Sequence, residues 1–330
     1  MAFEPHPWFI GLEGVEHSAE VARTLAWAAT NGASGVIKPS DMRVKAQTVP
    51  SDSVRIMPGG FVVESKYTGA SQQSYIERAP TVTDLEVPAT GSSGGATRYV
   101  VAQINDGDFQ GTVPPVPNEG TYARPLLVSS LSSSRTEIVL AKITQPANTA
   151  AITQSMITDM RTVANPREKK LVFPRPNVTA DTGLTLTSTA AFPQGEWFPN
   201  VGGGANNGRY DVEVPEWATR MQIRCEWIGV AFNNNPGAGG YWVAYGPGSG
   251  GTDPTYYTQF FGWNSTSGNY MTNWVMEEER TIPVAWRGTV LPFVPRANFT
   301  TKNSGGSVSL SAKSGMVFSV RFMEVADELE

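Results

Sequence analysis

Side chains able to do covalent or proton-transfer chemistry are few in this sequence. The only histidines are His6 and His17, and the only cysteine is Cys225. A Ser-His-Asp triad in the C-terminal half is therefore excluded, no G-x-S-x-G elbow is present, and Cys225 has no histidine near it in sequence to activate it. Zinc sites need clusters of His or Cys, and these are absent, so no metal and no cofactor is expected. Paired carboxylates are the remaining catalytic option, since a glycosidase needs only two. The C-terminal candidates are Asp181, Glu196, Asp211, Glu213, Glu216, Glu226, Asp253 and the run Glu277-Glu278-Glu279. The triple Glu reads more simply as a solvated loop. The runs Gly91-Ser92-Ser93-Gly94-Gly95 and Gly202-Gly203-Gly204 fit no phosphate-binding fingerprint, and the first reads as a flexible connector.

Aromatic side chains offer a different chemistry, the stacking of rings on sugars. Tyr241, Trp242, Tyr256, Tyr257, Trp263 and Tyr270 are dense and interleaved with Gly, Asn, Ser and Thr, a combination that suits glycan binding. The competing reading places these rings in a β core and its rim, with an exposed remnant needed for a binding patch. Trp217, Trp227 and Trp286 read as core.

The elements that must position these residues follow from length and punctuation. At 330 residues, two domains are expected. The 33 Gly and 24 Pro favour many short strands over long helices. The net charge is −5, and neither half is basic, which argues against a nucleic-acid partner. No apolar run approaches the roughly 18 residues of a membrane span, and Met1-Ala2-Phe3-Glu4-Pro5 does not read as a signal peptide.

Residues 1–15 read as an irregular arm that Pro5, Pro7, Trp8 and Phe9 anchor to a partner surface. Ser18 caps a helix bearing Val21, Leu25, Ala28 and Ala29 on one face, stopped by Asn31-Gly32. Strands follow from residue 42, with Pro114-Pro115-Val116-Pro117 in a long excursion. Thr153 caps a second expected helix, 152–163, with Met156, Ile157, Met160 and Val163 as its apolar stripe. The expected division is a domain at 1–165, a linker at 166–171 and a domain at 172–330. The second domain holds seven of nine Trp, six of ten Tyr and ten of fourteen Phe. Strands at 184–189, 209–214, 219–232, 240–245, 255–263, 270–275, 280–284, 289–293, 307–312 and 315–323 give an antiparallel β-sandwich of jelly-roll type. The fold class is mainly β, with an N-terminal α+β domain containing two short helices. Arg98, Asp159 and Arg161 lie in otherwise apolar elements and read, with Trp8 and Met156, as structural ion pairs or subunit contacts. Of three N-x-[ST] triplets, at Asn177, Asn264 and Asn298, none carries a functional reading.

The segments Met1–Gly11 and Glu16–Arg23 together resemble the opening of minor tail proteins of siphophages infecting actinobacteria. Val54–Val63, Thr97–Asp106, Ile138–Ile143 and Ile152–Arg161 follow in the order seen in that family and in a wider group of tail and baseplate proteins. Tyr99 stands where the wider group often has Asp. Tyr210–Arg220 is similar, over a shorter stretch, to C-terminal sandwich domains of such proteins. The resemblance covers about residues 1–165. It implies a virion location after synthesis in the host cytoplasm, a place near the tail tip, other tail proteins as partners, and a homo-oligomer, often a trimer. On that reading residues 1–165 attach to the tail and 172–330 reach the host envelope, where a glycan is the candidate ligand. The alternatives are a cell-wall polysaccharide depolymerase using two carboxylates, and a purely structural tail component with no ligand.

Overall fold

The structure, a computed structural model, describes residues 18–110, 122–175, 184–192, 194–199, 208–247, 259–263 and 268–326. The chain divides into two compact units, Met1–Pro166 with Val325–Glu330, and Arg167–Glu324. Both are mainly β and their named strand pairs are antiparallel.

The first unit opens on α1 (Ala19–Thr30). Ser18 Oγ accepts from the Val21 amide at 3.2 Å, and Asn31, left-handed at φ 51°, closes the last turn. The face α1 buries is centred on Ala26, whereas Leu25, expected inside, is 43% exposed. Ten strands follow: β1 (Gly35–Val36), β2 (Val44–Ala46), β3 (Ser53–Ile56), β4 (Gly59–Glu64), β5 (Ser74–Ala79), β6 (Thr83–Glu86), β7 (Ala96–Ile104), β8 (Ala123–Val128), β9 (Glu137–Gln145) and β10 (Ile157–Asp159). They form three sheets, β1-β4-β5, β2-β3-β6 and β10-β9-β7-β8. Val36, Val54, Ile56, Phe61, Val63, Val100, Leu140 and Ile143 make the shared core. A single turn, α2 (Gly107–Gln110), follows β7.

The expected helix at 152–163 is absent. Gln154–Met156 form one 3-10 turn and Ile157–Asp159 continue as β10, paired with Ala141–Ile143 of β9. β-branched Ile157 and Thr158 favour the strand. The expected linker at 166–171 is also mostly strand. β11 (Glu168–Arg175) pairs residue for residue with the end of the chain, from Glu168 opposite Met323 to Arg175 opposite Met316.

The second unit is a two-sheet sandwich. Its remaining strands are β12 (Leu184–Thr185), β13 (Glu196–Trp197), β14 (Tyr210–Glu213), β15 (Arg220–Asn233), β16 (Gly237–Tyr245), β17 (Gln259–Trp263), β18 (Asn269–Thr281), β19 (Val290–Lys302) and β20 (Ser307–Met323). One sheet runs β11-β20-β15-β18 with β12 also on β20. The other runs β13-β19-β16-β17 with β14 also on β19. Two expected strands, 307–312 and 315–323, are one strand here. Period-2 alternation sends Met221, Ile223, Cys225 and Trp227 of β15 inward. A bulge at Ile228-Gly229 inserts one residue, and Val230 and Phe232 resume the inward face. Gly229 takes φ 74°, its N–H donates to Asn273 Oδ1 (3.0 Å), and its carbonyl accepts from Ser314 Oγ (2.7 Å). Glu277-Glu278-Glu279 lie inside β18 and not in a loop, so their side chains alternate between outer and inner faces.

Candidate functional site

The described acidic residues of the second unit are largely spent on ion pairs and hydrogen bonds. On the outer face of the β11-β20-β15-β18 sheet, Arg224 bridges Glu277 (2.9 Å) and Glu226 (3.4 Å), Arg220 meets Glu279 (3.0 Å), and Arg321 meets Glu168 (2.5 Å). Arg321 holds the Glu168 carboxyl below its ordinary range. Glu196 accepts from Thr187 through its amide (2.6 Å) and hydroxyl (2.8 Å), and Asp211 pairs with Arg209 (2.6 Å). Glu213 and Glu216 are exposed, and Asp181 and Asp253 lie outside the described residues. Glu278 points inward, where Tyr245 donates to it (3.0 Å) and Arg280 donates to Tyr245 (2.7 Å). Burial pushes the Tyr245 phenol well up. Cys225 is fully buried, and burial, then the nearby Glu226, pushes its thiol well above the ordinary range. No group of three or more metal-ligating side chains occurs among the described residues.

The six aromatics expected to bind a glycan do not form a platform. Trp242 is fully buried and Tyr241 is 8% exposed. The physical reason is that β16 lies inside its sheet with both faces covered. Tyr241 points into the sandwich, where its ring stacks on Trp274 at 4.6 Å and meets Trp227 edge-on at 5.5 Å. Trp274 stacks in turn on Phe261 at 4.8 Å, and Trp227 Nε1 donates to the Phe198 carbonyl at 2.7 Å. Trp242 points the other way, under Phe192, with ring centroids 5.2 Å apart. Gly195 touches the same indole, where a Cβ would stand 2.5 Å from Cη2. Tyr270 is half-buried and stacks on Phe232 at 4.9 Å. The backbone of Trp263 pairs with Gly237, and its side chain, like all of Tyr256 and Tyr257, lies outside the described residues. Phe260, which belongs to the same aromatic stretch of the sequence although it is not among the six, is 74% exposed. Adjacent phenylalanines in a strand face opposite sides, so the pair Phe260-Phe261 held that signal.

In the first unit the charged residues are structural staples. The Arg161 side chain has no exposed surface. It forms a two-pronged pair with Asp159 (2.6 and 3.0 Å) and donates to the carbonyls of Pro39 (2.8 Å) and Asp41 (2.6 Å). Asp41 in turn accepts from the amides of Lys38 and Gly60. Arg98 donates to Gln145 and not to a carboxylate, and Gln145 donates to the Pro88 carbonyl. Met156 is half-buried against the core. Trp8 lies outside the described residues. A second staple was not anticipated. Arg23 of α1 lies over the rings of Tyr75 (5.4 Å) and Phe109 (5.6 Å), donates to Gln73 (2.6 Å) and pairs with Asp106 (3.6 Å). Tyr75 also donates to Asp106 (2.7 Å), and burial followed by that carboxylate pushes its phenol up. The signal was a lone arginine in an alanine-rich helix.

No known family model matches the chain, and no curated protein matches it. Among solved structures, it is similar to infectious bursal disease virus VP2 in a subviral particle, at 13% identity and TM-score 0.24 over 93% of this chain and 87% of that one. It is similar to the T13 particle of the same virus at 13% identity and TM-score 0.23, over 89% of this chain and 70% of that one. A third is the Arthrobacter globiformis T6 isomalto-dextranase complexed with panose, at 11% identity and TM-score 0.22, over 84% of this chain and 36% of that one. Scores this low carry no argument about fold, partners or activity. The β-sandwich assignment rests on the chain's own strand pairing.

Proposed function

We propose that the chain is a non-enzymatic structural protein of a phage virion, a minor tail component near the tail tip. The first unit attaches to other tail proteins and the second extends toward the host envelope. The observation that carries this reading is where the chemically capable side chains go: Trp227, Tyr241, Trp242, Trp274, Arg161 and Asp159 are built into the units' own interiors. The ordered segments behind the family resemblance support it, since Val54–Val63, Thr97–Asp106 and Ile138–Ile143 supply β3, β4, β7 and β9 of the first unit's core. Assembly as a homo-oligomer, with a trimer favoured, belongs to the same proposal. Burial of Tyr241 and Trp242 favours the purely structural form of it over a sugar-stacking form.

The test is cryo-electron microscopy of purified virions combined with gold-labelled antibody against the second unit. Gold at the tail tip, with density for several copies of the chain, is expected. A chain absent from purified virions, or monomeric and found only in lysate, overturns the proposal.

A further inference from the structure

The first unit leaves a cleft of about 400 Å³ between two strands at sheet edges, β5 of the sheet β1-β4-β5 and β8 of the sheet β10-β9-β7-β8. Its floor is Met42, Phe61 and Ala102, all buried and apolar, and its walls include residues 77–79 and 122–125. The register fixes what each edge offers, because backbone groups alternate sides along a strand. Gly60, opposite Arg78, gives its amide to Asp41 (3.1 Å) and accepts at its carbonyl from Ile37 (2.9 Å), so the Arg78 amide and carbonyl face away from β4. Asn105 donates to the Tyr122 carbonyl (2.6 Å), whereas Ile104, opposite Ala123, turns its amide to Thr136 (2.9 Å). Ala123 and, two residues on, Pro125 therefore direct their backbone groups away from β7. Glu77 Oε1 accepts from the Arg78 amide (2.7 Å). Among the described residues, nothing bonds the Arg78 carbonyl, the Ala123 amide and carbonyl, or the Pro125 carbonyl.

We infer that this cleft takes an extended segment of another polypeptide as an added strand, with acidic side chains at its outward positions. A strand presents amides and carbonyls along both of its edges and so meets β5 and β8 together. Its inward side chains rest on the apolar floor, which suits small apolar residues. Its outward side chains fall between Arg78 and Arg124. These two lie on outer faces, Arg78 opposite Gly60 and Arg124 opposite Gln103, while Phe61 and Ala102 face the core. Both are exposed, and among the described residues neither side chain has a partner. The nearby acids do not cancel them. Glu77 is on the inner face, opposite Phe61, and Glu137, opposite Gln103, is held by Arg135 (3.2 Å). Opposite charges on adjacent strands stabilise their pairing and like charges oppose it, which selects an acidic strand over a basic one. The inference stands whether or not the chain belongs to a phage tail.

The test pans a library of capped heptapeptides against the full chain, with Ala, Val or Ile at alternate positions and Asp, Ser or Lys between them. Asp members should be retained over Lys members by at least about five-fold. Bound peptide should slow hydrogen exchange of the Ala123 amide several-fold. Arg124→Glu, at an exposed position, should reverse the preference for Asp over Lys. Ala123→Pro, which removes the cleft-facing amide, should lower retention of every member. Retention of no member, equal retention of Asp and Lys members, or a preference that Arg124→Glu leaves unchanged overturns the inference. So does an Ala123 amide already protected without peptide: protection that rises with protein concentration assigns the cleft to a second copy, and protection at every concentration assigns it to the chain itself.

Discussion

Replacing Trp242 by alanine separates a core indole from a sugar platform. The side chain is fully buried, pressed between Phe192 and Gly195 on one face of β16. A buried indole removes roughly 200–250 Å² from water, which at about 25 cal/mol/Å² sets an upper bound near 6 kcal/mol. Measured truncations of buried Phe and Trp cost about 3–5 kcal/mol, because neighbours relax into part of the cavity. Trp242→Ala should therefore destabilise the second unit by about 4 kcal/mol, a large share of the ~5–15 kcal/mol typical of a domain. Each kcal/mol is worth about 3 °C in a unit of this size, so Tm should fall by roughly 12 °C. Trp242→Phe should cost less, about 1–2 kcal/mol, since it keeps a ring and removes an indole N–H that has no hydrogen-bond partner among the described residues. Urea unfolding followed by intrinsic fluorescence, with thermal unfolding alongside, reads both variants. A Trp242→Ala protein with wild-type Tm that had lost binding to an envelope glycan would refute the core assignment and restore the platform.

Further perturbations test the staples and the pH response. Arg161→Leu leaves Asp159 without its partner inside the first unit and should cost about 3–5 kcal/mol of its stability, while Arg161→Leu with Asp159→Leu should recover part of that loss in the same unfolding assay. Burial pushes the Glu324 carboxyl up, but hydrogen bonds from the Arg167 side chain and amide outweigh it, so the group sits below its ordinary value of 4.5. Its contribution is then fully present above about pH 4.5 and lost as pH falls through the lowered value, and Glu324→Gln should flatten that acid limb of stability against pH. Gly237→Ala, at φ 101° with a Cβ 2.0 Å from the Thr301 carbonyl, should cost about 3 kcal/mol and disturb the β16–β19 pairing, visible as lost amide protection.

Elements whose information is local were legible in the sequence. Ser18 and Asn31-Gly32 bracket α1, and the alternation of Met221 to Trp227 marks β15 within a residue of its observed start, Arg220. What failed needed non-local knowledge. Ile152 to Val163 carries apolar residues at helical spacing, yet pairing with β9 decides that Ile157–Asp159 are strand, and no local pattern encodes that partner. The Glu277–Glu279 run looks solvated until β15 supplies Arg220 and Arg224 beside it. The sequence pattern puts Leu25 on one apolar face with Val21, Ala28 and Ala29, but the helix seats Arg23 against Tyr75 and Asp106 and turns Leu25 out. For the aromatics a usable signal was present. Tyr241-Trp242-Val243-Ala244-Tyr245 is apolar without alternation, the mark of a strand covered on both faces, and a strand so covered cannot offer its rings to a sugar.

The same accounting bears on the depolymerase alternative. A glycosidase requires one carboxylic acid that stays protonated near neutral pH beside a second that is ionised, and burial or a neighbouring anion must raise the first. Among the described residues, the carboxyls with a resolved displacement go the other way: Glu64 is lowered by its hydrogen bond from Lys66, Glu168 by Arg321, and Glu324, despite burial, by Arg167. Glu226 and Glu277 both pair with one guanidinium, that of Arg224, so the two side chains are tied into one ion-pair network and neither is left free to meet a substrate alone. Incubating the purified chain with host envelope polysaccharide should therefore release no new reducing ends. Reducing ends that appear with the wild-type chain, and vanish when Glu226 and Glu277 are each changed to Gln, would refute this reasoning and make the outer face of β15 and β18 a catalytic surface.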